Sequence, residues 1–147
     1  MAGMQSETRV PGFGSWRAAP RAGVAYTLGV FVFAFAVGTI RVTLVAPRLG
    51  ALVAVLLEAP IVLAVSWRVS LWCIRRFDVS RDPRARVLMG TVAFLVLMSL
   101  EAGVSVLAFG ESFEHHLARN ATLPGIIGLA TQVVFAAFPW VQRDLRS

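Results

Sequence analysis

The sequence predicts an all-α integral membrane protein, a bundle of four transmembrane helices. Three observations predict it. The 147 residues are 57% hydrophobic and only 15% charged, with a mean hydropathy of +0.73, far too little charge to solvate a soluble domain of this size. The apolar residues fall in four blocks, each about as long as a spanning helix. Every basic residue is an arginine, and the arginines gather at the ends of the blocks, where a membrane topology signal belongs. The net charge of +6 is therefore a topology signal, and no nucleic-acid partner is expected.

Residues 1–21 mix Gly, Pro, Ser and Arg without a sustained period and read as a flexible cytoplasmic tail, with Trp16 at the interface. The transmembrane domain is expected over 22–142, with helices near 22–45, 49–74, 86–110 and 121–142, and residues 143–147 form a cytoplasmic C-terminus. The first run, Ala22–Ile40, carries no charge. An alternative reading makes it a signal peptide with Ala34-Phe35-Ala36 as the cleavage site, which N-terminal sequencing or an intact mass would decide. Ala34 and Gly38, four apart, form a stripe of small residues suited to close helix packing.

A tight connection from Arg41 to Arg48 contains Ala46-Pro47. The second run contains Glu58 and Pro60. Proline lacks the backbone donor that the carbonyl of Leu56 would use, so a kink is expected there. Arg75, Arg76, Arg81, Arg84 and Arg86 dominate the next loop, against Asp78 and Asp82. The third run carries Glu101. Glu111, Glu114, His115, His116 and Arg119 follow in a loop, and the fourth run carries Gln132 with Gly125, Gly128 and Ala136 near its face. The tail, the Arg75–Arg86 loop and the C-terminus hold most of the arginines, which puts both termini in the cytoplasm. Arg68 is expected to snorkel towards that side.

Depth is the most informative quantity. At about 1.5 Å per residue, Glu58 lies roughly 15 Å below Arg48, and Glu101 roughly 15 Å below Glu111. In a hydrocarbon core about 30 Å thick, both carboxylates reach the centre. Gln132 is similarly deep counted from Asn120, and Arg41 lies about 10 Å below Arg48 by the same rise. Ionisable groups at that depth are costly, and they persist when they face one another or a wet cavity. Arg41, Glu58, Glu101 and Gln132 are thus the candidate site, with Arg41 expected between the two carboxylates. Either they form a structural cluster that fixes helix packing, or they relay a proton or ion.

Other chemistries find less support. Glu111 and His115, four apart, and His116 are the candidate metal ligands, but no third ligand completes the motif. No histidine lies in a span, so a bis-His haem within a monomer is excluded, and neither glutamate has the Glu-x-x-His spacing of a carboxylate-bridged di-iron site. No cofactor is expected. Cys73 is the single cysteine, so no disulfide forms within the chain.

Gly38-Thr39-Ile40-Arg41, Ala46-Pro47-Arg48-Leu49-Gly50, Leu57-Glu58-Ala59-Pro60, Arg75-Arg76-Phe77, Met89-Gly90 and Phe138-Pro139 run from the first helix to the last. In these stretches the chain resembles a group of small bacterial inner-membrane proteins with four helices and no assigned activity. The resemblance implies an inner-membrane location and the four-helix fold, and nothing about chemistry. With no nucleophile–base pair in view, a transport- or binding-type protein is expected over an enzyme. Four helices around a charged layer leave little room for a path, so transport implies a homo-oligomer, with the Ala34/Gly38 or Gly125/Gly128 faces as candidate contacts. The alternative is an accessory subunit of a larger membrane complex.

Overall fold

The computed structural model describes residues 13–110 and 112–144. Regular structure among them is entirely helical: α1 (Phe13–Ile40), a π turn (Arg41–Val45), α2 (Ala46–Leu49), α3 (Ala51–Arg76), α4 (Pro83–Gly103), a second π turn (Val104–Ala108), α5 (Phe113–Asn120), α6 (Leu123–Val141) and a closing 3-10 turn (Gln142–Asp144). Four runs, Trp16–Leu49, Ala51–Arg76, Pro83–Ala108 and Leu123–Val141, are long and apolar enough to cross a membrane.

Three boundaries differ from expectation. Residues 13–21 belong to α1 and not to a flexible tail, because Ala19 and Ala22 are fully buried in a core that includes Val79, Ala85 and Met89. The rest of that tail lies outside the described residues. The connection from Arg41 to Arg48 is itself helical. Its π turn precedes Pro47, whose ring would clash with the Thr43 carbonyl in regular α geometry. The chain then reverses at Gly50, whose φ of 83° and ψ of 156° only glycine adopts readily. The third difference is α5, which occupies most of the expected loop 111–120.

The helix ends follow local chemistry. α3 runs through Pro60 and ends in a Schellman motif, with Val79 N–H donating to the Ile74 carbonyl (3.1 Å) and Asp78 N–H to Arg75 (3.4 Å). Asp78 takes the left-handed position at φ 50°, and Val79 behind it is buried. Asp82 caps α4 by accepting from Arg84 N–H at 2.8 Å, with Pro83 at the first helical position. Ser112 and Thr122 cap α5 and α6 in the same way.

α1 packs against α3 and α4, and α6 packs against the same two helices. Around the bundle the spans therefore run first, second, fourth, third, with the first and fourth on one diagonal. Small residues allow close approach: a Cβ on Gly23 would stand 2.6 Å from the Met89 carbonyl oxygen, and one on Gly90 would overlap that of Ala136. Beside Gly23, the buried Thr27 hydroxyl reaches the Gly23 carbonyl of its own helix (3.0 Å) and Ala93 of α4 (2.9 Å).

Across the diagonal, Tyr26 stacks on Phe135 with ring centroids 4.2 Å apart, and its hydroxyl donates to the Phe135 carbonyl at 3.0 Å. That carbonyl needs a donor because the residue four further on is Pro139, which has no N–H. Nearby, buried Gln142 accepts from the Ser70 hydroxyl (2.7 Å) and donates to the Trp67 carbonyl (3.0 Å), tying the end of α6 to α3. These contacts give the arginine-rich half of the bundle a closed core.

The other half is packed differently. Among the described residues from 31 to 64 and from 98 to 130, only Ala54, Ser105 and His116 are buried.

Candidate functional site

The four polar residues named by depth sit at the boundary between these halves, and they form two pairs. Arg41 opens the first π turn, and its guanidinium forms an ion pair with Glu58 of α3. Arg41 is 28% and Glu58 17% exposed, so the pair is only partly buried. Gly38 lies one turn earlier, where a Cβ would touch Glu58 Oε1 at 3.5 Å. The glycine thus keeps the surface of α1 low where the carboxylate lies against it.

The second pair joins α4 to α6. Gln132 Nε2 donates to both oxygens of Glu101, at 2.7 Å each. Turning the amide nitrogen to the carboxylate leaves Gln132 Oε1 buried without a partner. A buried acceptor in that state calls for a donor from water or from a solute.

The expected placement of Arg41 between the two carboxylates is therefore replaced by one partner for each carboxylate. The pairs still share one electrostatic neighbourhood, because Glu101 lies within range of both Glu58 and Arg119. Arg41 stands on the first span, which neighbours α3, carrying Glu58, and α4, carrying Glu101. The π turn that carries Arg41 packs against α2 and α3, so the guanidinium sits on the Glu58 side of the first span.

Next to the second pair, α5 packs against α6 and the second π turn. It presents Phe113 and Leu117 outward, both more than half exposed, and buries His116. Arg119 Nη2 lies 3.2 Å from His116 Nδ1. His116 was expected in a solvated loop. The available signal was Ser112, a helix-capping residue three positions before His115, with Phe113 and Leu117 four apart on one face. His115 is exposed, Glu111 lies outside the described residues, and no three His, Cys, Asp or Glu side chains among the described residues are grouped to hold a metal.

Arg68 is exposed on α3. Pro60 is also exposed, one turn beyond Leu56, whose carbonyl it leaves without an amide donor. Gly128 has no atom within 4 Å of where a Cβ would stand, whereas Gly125 is pressed against the backbone of Arg119 and Asn120. The polar contacts of the closed half, at Tyr26, Thr27, Ser70 and Gln142, are not announced by the spacing of those residues. For Tyr26 the signal was Pro139, four residues after an aromatic in an apolar run.

Comparisons with protein families, with curated proteins and with solved structures return no match to this chain.

Proposed function

We propose that the chain is a multi-pass protein of a bacterial inner membrane, with both termini cytoplasmic, that binds and translocates a small solute or proton through the layer of Arg41, Glu58, Glu101 and Gln132. The observation that carries this reading is the packing asymmetry. One side of the layer is filled by Tyr26, Thr27, Met89, Ala93 and Phe135. On the other side, among the described residues, almost no side chain is fully buried. A layer sealed on one side and loosely packed on the other is the arrangement that alternating access requires of one of its states. The Gln132 oxygen supplies an unused acceptor, and the ion pair supplies a charge that can change partners.

In this reading Arg41 holds Glu58 while the site is empty, and Gln132 orients Glu101. An arriving cation or proton competes with Arg41 for a carboxylate, and the freed guanidinium turns to the other. Pro60 weakens α3 two residues from Glu58 and gives the helix a place to bend.

The test is flux. Parent protein, Glu58→Gln and Glu101→Gln are reconstituted into proteoliposomes carrying a pH-sensitive dye. Flux in the parent that is lost in folded variants supports translocation. A silent parent, with both variants losing only thermal stability, overturns it.

A second reading has its own support: each carboxylate already has a protein partner and needs no ligand. The layer would then only hold the helices together, and the protein would serve as an accessory subunit in a larger membrane complex. Copurification of a constant partner from native membranes supports that reading, and a protein that runs alone or only with itself opposes it.

A further inference from the structure

A separate feature lies at the arginine-rich end. Arg17, Ala18 and Arg21 of α1 and Phe77 at the end of α3 line a shallow open cleft. Arg17 and Arg21 are four apart and so project from one face of the helix, one turn from each other. Both are exposed, and neither has an ion-pair partner among the described residues. No acidic residue lies in the first turn of α1 to offset them.

A second, independent observation concerns Arg86. This side chain is only 4% exposed. Its Nε donates to the Ser80 carbonyl at 2.8 Å, three residues beyond Phe77, while its Nη1 is buried without a partner. It lies within electrostatic range of Arg81, so the start of α4 and the loop that follows Phe77 carry buried and exposed positive charge side by side. Asp78 and Asp82, the acidic residues of that loop, form no ion pair among the described residues.

We infer that this cleft binds the phosphate of an anionic phospholipid. Guanidinium groups match phosphate oxygens in pairs, which a single ammonium cannot do. The source is fixed by position. The run long enough to span a membrane begins at Trp16, and that of α3 ends at Arg76, so Arg17, Arg21 and Phe77 lie at the headgroup level of one leaflet. Basic clefts between spans at that level hold acidic headgroups. The Phe77 ring would lie against the glycerol and upper acyl chain while the two guanidinium groups hold the phosphate. The inference rests on the membrane reading and is independent of translocation.

The test uses the full chain, purified in detergent, delipidated and titrated with phosphatidylglycerol, with bound lipid counted by native mass spectrometry. The parent is expected to bind one phosphatidylglycerol in preference to phosphatidylcholine. Arg17→Gln/Arg21→Gln should bind it roughly tenfold or more weakly, the loss of about two charge-assisted contacts. Arg75→Gln/Arg76→Gln removes the same charge from the same end, outside the cleft, and should stay within about threefold of the parent. All substituted side chains are exposed, so helix content by circular dichroism should not change. Equal losses in the two double variants, or equal binding of phosphatidylcholine, overturn the site. Displacement of the lipid by millimolar inorganic phosphate overturns the lipid as its occupant. A chain that fractionates with membranes but fails these tests loses this inference alone, leaving the membrane reading intact.

Discussion

Tyr26 and Pro139 form a pair whose coupling can be measured. Pro139 withholds the amide that the Phe135 carbonyl would otherwise accept, and the Tyr26 hydroxyl replaces it at 3.0 Å. Tyr26→Phe keeps the ring stack but leaves a buried acceptor without that donor, for an expected loss of about 1.5 kcal/mol: unsatisfied buried groups cost about 1–3 kcal/mol, and hydrogen bonds within membrane bundles reach at most about 1.7 kcal/mol, which holds the figure in the lower half of that range. Pro139→Ala restores an N–H at the right place in α6. In that background the carbonyl is satisfied within its own helix, and Tyr26→Phe should cost only about 0.5 kcal/mol, a coupling of about 1 kcal/mol. The cycle is needed because Pro139→Ala alone mixes a gained hydrogen bond with lost ring packing. Reversible unfolding of the four proteins in mixed detergent micelles, followed by far-ultraviolet circular dichroism, measures it. If Tyr26→Phe costs the same in both backgrounds to within about 0.3 kcal/mol, the hydroxyl is not replacing the missing amide, and the argument fails.

Further tests address the remaining contacts. Gly90→Ala forces a Cβ onto the Ala136 carbonyl and should lower stability by about 1–3 kcal/mol, whereas Gly128→Ala meets nothing within 4 Å and should gain up to about 1 kcal/mol; unfolding midpoints of the two variants decide. Asp78→Gly relieves a non-glycine residue at φ 50° and should stabilise by about 0.5–1 kcal/mol in the same assay; a loss would mean that the Asp78 side chain contributes more than its backbone costs. Gln142→Ala removes the contacts to Ser70 and Trp67 and should cost about 1–2 kcal/mol, with faster amide exchange at the end of α6; protection equal to the parent would refute that anchoring role.

The four apolar runs, and the pairing of Arg41 with Glu58 and of Glu101 with Gln132 at matching heights, were within reach of the sequence because both depend on quantities every helix shares. Apolar run length sets the span, and a constant rise per residue sets depth. Partner choice depends on the order of helices around the bundle, which short connections do not specify. Only six residues join α3 to α4, yet those two helices are diagonal. The closed half was the least legible part. Its close approaches occur at Gly23 and Gly90, while the small residues singled out by spacing were Ala34, Gly38, Gly125 and Gly128. Spacing shows that a face is smooth, but not which helix meets it. The helical start of α1 was hidden by Pro20, a helix breaker in isolation that here lies inside the first turns of a helix whose Ala19 and Ala22 are held in the core.

The same geometry explains the pairing at the candidate site and leads to its sharpest test. Arg41 lies nine residues before the Gly50 turn and Glu58 eight residues after it, so two nearly equal lengths of helix bring them level. Glu101 stands diagonally opposite Glu58, on the other helix that neighbours the first span. If Arg41 can exchange partners, Glu58→Gln alone should cost little, because the guanidinium turns to Glu101. Glu101→Gln alone should also cost little, because the Arg41–Glu58 pair survives. The double variant leaves a largely buried guanidinium without any carboxylate and should lose more than the sum of the single changes, by at least about 1 kcal/mol. Simple repulsion between the carboxylates predicts an excess of the same sign, because each single change would relieve it and the second would bring no further relief. Arg41→Gln separates the two outright: with no guanidinium to orphan, the excess from exchange disappears, while carboxylate repulsion remains and grows. An excess that survives Arg41→Gln overturns partner exchange, and with it the step on which translocation through this layer depends.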